Sequence, residues 1–365
     1  MTPTIGRTLC SSLWRLSRRL IGRGRRRPLE GVPEGIAFEE LEGACEAVLG
    51  GPLIRVSHMQ LSGWKRTGAY RLWLDTARGD SRTVIFKNAR FDPAAIPALN
   101  GLPALPGPPE YHVYHEASWP FDSYLPRVYL CEEVTKGTHY RYVLEDLAAD
   151  RRVCESHEAI LAQAKLLPAL HRVMKAWWRD AYGAEWLDYG HEYSLALQEY
   201  VITHLSRYAN RSEDSLAVDF CERFSRIAAI HAGREFHDIC PRRPIHGDYN
   251  PWNVLIRDGG EEPPKIIDWE WAGLGMPHMD LASLLKPVPN ELAQRALALF
   301  ASEGEPLPLR EHQRLYSWCK LERGMLDAAF LAVQQMEGRW GTRLHLPRRI
   351  AASIRRALGA FEELS

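Results

Sequence analysis

The chain has 365 residues, 45% hydrophobic and 25% charged, which is ample for two folded units and ordinary for a soluble protein. Its 46 basic and 46 acidic residues cancel, which argues against a nucleic-acid partner, because neutralising phosphates needs a clustered excess of cations. Seven widely spaced cysteines with no CxxC pair exclude a zinc framework and point to reduced thiols in a cytoplasmic setting.

Residues 1–27 carry eight arginines and no acid, so residues 28–365 are about eight units negative. Leu9, Leu13, Leu16 and Leu20 lie at helical spacing among those arginines. A basic amphipathic helix of this kind suits weak contact with an anionic membrane surface; the same composition also suits a transit segment or a disordered extension. The extension is expected to run over residues 1–36. No apolar run approaches the ~18 residues that span a membrane.

From Phe38 the spacing of Phe38, Leu41, Cys45 and Val48 predicts a helix to Leu49. β-rich stretches follow at Arg55–Leu61, Ala69–Leu74 and Thr83–Phe86, the last two on either side of the polar turn Ala77–Asp80. Six prolines within 92–109 predict a loop. A helix is expected after Pro108-Pro109. Strands are expected at Arg127–Cys131 and Tyr140–Leu144. The remainder is mainly helical: Cys154–Trp178, Leu195–Tyr208, Leu216–Ala232, Met279–Leu285, Glu291–Ala301, Glu311–Met336 and Arg348–Leu364. A loop and strands interrupt it between Pro244 and Ile267. A strand-rich part followed by a helical part predicts an α+β fold with two lobes, 37–146 and 147–365.

The chemistry-bearing stretch is His246-Gly247-Asp248-Tyr249-Asn250-Pro251-Trp252-Asn253, an apolar strand, and then Lys265-Ile266-Ile267-Asp268-Trp269-Glu270. A hairpin joining the two strands brings Asn253 and Asp268 together, and amide and carboxylate oxygens are the hard ligands that Mg²⁺ prefers. Asp248, one loop away, is placed to accept a proton from an attacking hydroxyl. That combination suits phosphoryl transfer, and an Asp and Asn five apart match a kinase catalytic loop. Asp and Asn also serve as ordinary turn residues.

This stretch resembles the aminoglycoside phosphotransferase and choline kinase-like family, within the protein-kinase-like fold. The resemblance rests on HGDxxxxN at His246–Asn253, on Ile267–Glu270, and on Gly275–Ala282, where Asp280 matches the structural acid and is expected to cap its helix. It implies a small-molecule kinase using ATP, or GTP, with Mg²⁺. It also implies further parts. Lys87, ending the strand Thr83–Phe86, would contact the phosphates. Glu110 would pair with that lysine, with Glu116 its competitor on the same helix. Gly63 and Gly68 would let a turn approach the phosphates. The Glu145 carbonyl and Leu147 amide would hold the adenine. His171 is expected to be a core histidine, and Trp252 and Trp271 either core or pocket lining.

Two alternatives stay open at this point: a nucleotide-binding pseudokinase acting as a regulator, and a kinase whose acceptor is a lipid or protein. The acceptor itself is not specified. Asp180, Glu185, Asp188, Glu192, Glu199, Glu322 and Asp327 would favour a cationic acceptor such as an aminoglycoside or choline, or simply face solvent.

Overall fold

The computed structural model describes residues 29–61, 67–90, 109–117, 119–149, 151–181, 187–257, 262–337 and 345–365. The arginine-rich start, Gly63 and the proline-rich loop lie outside the described residues. The chain divides into two compact units, Met1–Arg90 with Arg127–Asp146, and Phe91–Pro126 with Leu147–Ser365.

In the first unit, β1 (Leu29–Glu30) precedes helix α1 (Phe38–Leu49), and β2 (Leu53–Gln60), β3 (Thr67–Thr76), β4 (Ser81–Arg90), β5 (Val128–Thr135) and β6 (His139–Glu145) follow. They form one six-stranded sheet in the order β1-β2-β3-β4-β6-β5, every neighbouring pair antiparallel. The Glu40 carboxylate accepts the Ala37 amide at 2.8 Å and closes the first turn of α1, while Gly50, at φ +63°, ends it. One stripe of α1, Leu41, Cys45 and Leu49, meets Val56, Leu72, Leu74, Val84, Phe86 and Val143 from the sheet. Strand alternation therefore puts Lys87 on the face of β4 opposite Val84 and Phe86. It lies in register with Ala69 and Tyr142. Gly68, expected in a turn, is instead a strand residue of β3 opposite Asn88, because pairing with β4 extends two residues further than the apolar run suggests.

The second unit opens with α2 (Pro109–Glu116). After β7 (Arg151–Val153) come α3 (His157–Ala181), β8 (Leu187–Asp188), α4 (His191–Ser212), α5 (Ser215–His231), the short α6 (Arg234–Ile239) and β9 (Arg243–Ile245). Strands β10 (Val254–Arg257), β11 (Lys265–Ile266) and β12 (Gly273–Gly275) lead into α7 (His278–Leu284), α8 (Asn290–Glu303), α9 (Leu309–Met336) and α10 (Leu346–Leu364). Two small sheets, β11-β10-β7 and β8-β12-β9, frame the segment between β9 and β12.

The helices match the apolar periodicities closely, while α6 and the two- and three-residue strands carry too few residues to generate one. Asp214 caps α5 by accepting the Leu216 and Ala217 amides. Helices α9 and α10 pack so closely that a Cβ on Gly324 would stand 2.9 Å from the Ala357 nitrogen and 3.1 Å from its Cβ. The six cysteines Cys45, Cys131, Cys154, Cys221, Cys240 and Cys319 are free thiols, and burial pushes Cys45 up to about 11 and Cys154 and Cys240 up to about 12. Among the described residues no helix is long and apolar enough to cross a membrane.

Candidate functional site

Strand β9 delivers His246 to the loop that ends at Asn253. The chain reverses sharply at Gly247, whose φ is +77° and where a Cβ would stand 2.0 Å from the Trp271 carbonyl oxygen. Only glycine fits there. That carbonyl accepts the Tyr189 hydroxyl at 2.7 Å. Asp280, fully buried, anchors the same reversal: one carboxylate oxygen accepts the His246 amide at 2.9 Å, the other the Gly247 amide at 2.8 Å. His171 Nε2 also reaches Asp280, at 2.9 Å. The expected helix-capping role is thereby corrected. Pro277 occupies the N-cap of α7, and Asp280, inside the first turn, spends its oxygens on the loop.

The His246 ring bridges two parts of the loop. Its Nε2 donates to the Ile267 carbonyl at 3.0 Å, and its Nδ1 accepts the Asp248 amide at 3.2 Å. These bonds select one neutral tautomer. Burial pushes the imidazole below its ordinary value, although Asp280 and Asp248 pull the other way.

Asp248 is held from both sides. Its Oδ2 accepts Asn250 Nδ2 at 3.0 Å and Asn253 Nδ2 at 3.3 Å, and its carbonyl accepts Asn253 Nδ2 at 3.0 Å. Its Oδ1 pairs with Arg323 Nη2 from α9, and Arg323 Nη1 donates to the Gly247 carbonyl at 2.8 Å. Asn250 in turn accepts the Trp252 and Asn253 amides, at 3.0 and 3.2 Å, which fixes the turn into β10.

The expected hairpin is present: Val254 pairs with Ile266 and Leu255 with Lys265, and β7 joins from the other edge. The Ile267 amide donates to the Asn253 carbonyl at 3.0 Å, so Asp268 emerges next to Asn253. Asp268 has φ +67°, a left-handed conformation uncommon outside glycine. Asn253 commits its Nδ2 to Asp248, and among the described residues its Oδ1 accepts no hydrogen bond. An amide oxygen and a carboxylate on adjoining backbone suit Mg²⁺, which takes one or two protein ligands and fills its shell with phosphate oxygens and water. Among the described residues no group of three His, Cys, Asp or Glu side chains is arranged to hold a metal.

Of the other expected residues, Glu110 lies on the inward face of α2 with 3% exposure. Its competitor Glu116 faces His112, at 3.2 Å. The Glu145 carboxylate accepts the Arg127 amide at 3.1 Å, and Leu147 is buried at the start of a 3-10 turn. Trp269 is buried, its ring 4.4 Å from that of His246, whereas Trp252 is exposed. Sequence reasoning missed Asn250 and Arg323. Asn250 had the signal of an Asx residue two positions after Asp248. Arg323 had only its i,i+4 spacing to Asp327, common on any helix.

The model of the phosphotransferase enzyme family (APH) matches residues 107–318. No curated protein matches the chain. Among solved structures, choline kinase LicA from Streptococcus pneumoniae is similar at a TM-score of 0.55 and 15% identity, over 88% of this chain and 98% of that one. Spectinomycin phosphotransferase in complex with ADP and its antibiotic gives 0.54 and 12%, over 91% and 100%. The GDP complex of an aminoglycoside 2'-phosphotransferase gives 0.55 and 14%, over 90% and 99%. At these identities the likeness is one of fold, and it establishes the α+β, kinase-like class expected from the sequence.

Proposed function

The chain belongs to the phosphotransferase enzyme family, and we propose that it moves the γ-phosphate of ATP, with Mg²⁺, to a hydroxyl of a small molecule. The observation that carries this is the loop around Asp248. Its carboxylate is oriented by Asn250 and Asn253, in the same turn that sets Asn253 beside Asp268.

In this scheme the acceptor oxygen forms a bond to the γ-phosphorus as the bond to the β–γ bridging oxygen breaks, and ADP leaves. Asp248 orients the hydroxyl and receives its proton. The Asn253 amide oxygen and Asp268 carboxylate would hold Mg²⁺, which neutralises charge on the phosphate oxygens when bound. His246 and Asp280 do not touch the substrate in this scheme; they keep the loop in shape. The nucleotide-contacting roles of Lys87, Glu110, Gly63, Gly68, Glu145 and Leu147 rest on the resemblance stated above.

The test is ADP release by the full chain with ATP and Mg²⁺ against aminoglycosides, choline, amino alcohols, sugars and acidic alcohols. Acceptor-dependent release that disappears in Asp248→Ala supports the proposal. Nucleotide binding with no transfer to any of them would return the chain to the pseudokinase alternative.

A further inference from the structure

Beyond the Asp248 loop, helices α7–α10 wall a cavity of about 270 Å³. Five cations line it, Lys286, Lys320, Arg323, Arg355 and Arg356, with the single carboxylate Glu363. Asp327 stands just behind them. It pairs with Lys286, meets Arg356 at 3.2 Å and lies 3.8 Å from Arg323. Glu363 is taken by Lys320 at 2.6 Å. Counting Asp248, three carboxylates face five cations, and among the described residues Arg355 has no acidic partner.

The positive charge is therefore under-compensated. Burial pushes Lys286 down from the usual lysine range, and the nearby Arg323 and Arg356 push it further, against the pull of Asp327. Burial lowers Arg356 likewise. A low-dielectric recess lined by one sign of charge concentrates the opposite sign. Arg323 belongs both to this wall and to Asp248, so one guanidinium links the recess to the acid assigned to the acceptor hydroxyl.

Three of the seven acids expected to greet a cationic acceptor are occupied elsewhere. Asp188 pairs with Arg242, Glu322 accepts from Ser194 at 2.9 Å and faces His231 at 3.2 Å, and Asp327 serves the cations above. Glu192 and Glu199 are exposed, and the Asp180 and Glu185 side chains lie outside the described residues. Four of the five cations lie beyond residue 318, where the family match ends.

Resting on the phosphotransferase reading above, we propose that this cavity seats an anionic group of the acceptor, a phosphate or carboxylate, so that the substrate is an acidic alcohol rather than a polycation. Arginine forks and lysine points are the side chains that take such groups, and the same charges repel choline or an aminoglycoside.

The test titrates the full chain with glycerol 3-phosphate, glycerate, glycerol, choline and kanamycin by calorimetry, and runs each as acceptor with ATP and Mg²⁺. Arg323→Gln would also strip Asp248 of its partner, so the decisive variant is Arg355→Glu, an exposed site whose fold is checked by its melting curve. The expected result is saturable binding of one or both acids, weakened about tenfold or more in Arg355→Glu, with glycerol, choline and kanamycin inert. The two acids separate a phosphate from a carboxylate preference. Absence of acid binding, or equal binding by Arg355→Glu, overturns the inference. Transfer to kanamycin or choline at a rate untouched by Arg355→Glu overturns it while leaving the phosphotransferase standing. Arg355-dependent acid binding without transfer to any acceptor upholds the cavity and sinks the phosphotransferase.

Discussion

The loop from His246 to Asp268 and the recess between α7 and α10 meet at Arg323, yet they hold charge in opposite ways. In the loop, carboxylates are surrounded by backbone amides, side-chain amides and one guanidinium: Asp280 takes two main-chain N–H groups, and Asp248 takes Asn250, Asn253 and Arg323. In the recess, long cations from α9, α10 and the turn after α7 crowd around too few acids. A short-reach network of amides and one guanidinium around fixed carboxylates holds geometry tightly, which chemistry on a phosphorus demands. A ring of flexible cations fixes the sign of what enters and leaves its shape adjustable. On the proposed reading, one region serves the reaction and the other the choice of partner.

The largest expected break in that comparison is Asp248→Ala. Acceptor-dependent ADP release should fall by about 10²- to 10⁴-fold, measured as kcat. Binding of glycerol 3-phosphate should persist and tighten, because Arg323 loses its carboxylate. A variant that turns over normally removes Asp248 from the chemistry.

Next comes Asp280→Ala, which orphans the His246 and Gly247 amides together. A cost of about 3–5 kcal/mol in urea unfolding is expected, as for other broken buried charge contacts. A loss under about 1 kcal/mol would mean that the loop holds itself.

Gly247→Ala should cost less, about 2–3 kcal/mol, from the left-handed backbone and the Trp271 carbonyl in its path. Here a crystal structure of the variant is the sharper readout: a loop shifted off Asp248 is expected, and an unmoved loop would contradict the contact.

The smallest effect is on acid stability, and it separates the two regions by pH. His246 and His278 are pushed down by burial, so they fold as neutral rings. Their contribution is complete above the unfolded histidine value near 6.5 and is lost as pH falls through their folded values. Asp327 is held low by Lys286, Arg323 and Arg356 against its burial. Its contribution is complete above about 3.9 and is lost only below that. Melting temperature against pH should therefore fall in two steps, the histidines first. His278→Gln should flatten the first step, and a flat curve from pH 7 to 5 in the parent chain would remove it.

How much of this was legible in the sequence follows the same divide. The HGDxxxxN spacing, the apolar strand and the strand-ending Asp268 are local, so the hairpin and the Asp248 turn could be read from consecutive residues. So could the helix stripes, such as Leu41, Cys45 and Leu49. β7 could not: Arg151-Arg152-Val153 is too short and too charged to announce a strand, and it exists only because β10 offers an edge. Asp280 was legible as an acid at a helix start, but a cap and a long-range acceptor look alike from the sequence. The recess was illegible for a related reason. Lys286, Arg323 and Arg356 are separated by more than thirty residues in each case, and each alone is an ordinary surface cation. Asp327 drew notice as an acid, when its three basic neighbours decide what it does.

The close approach at Gly324 gives the recess a gauge. Because a single hydrogen separates α9 from Ala357 of α10, the spacing of those two walls is set by the smallest side chain available. Widening it takes only one methyl group, which would spread the helices and enlarge the mouth around Arg323 and Arg355, and because Arg323 also holds Asp248 and the Gly247 carbonyl, the change would reach the Asp248 turn through that one side chain. If the recess seats the acceptor as proposed, substrate range would be adjustable at a residue that does not itself touch the reacting atoms.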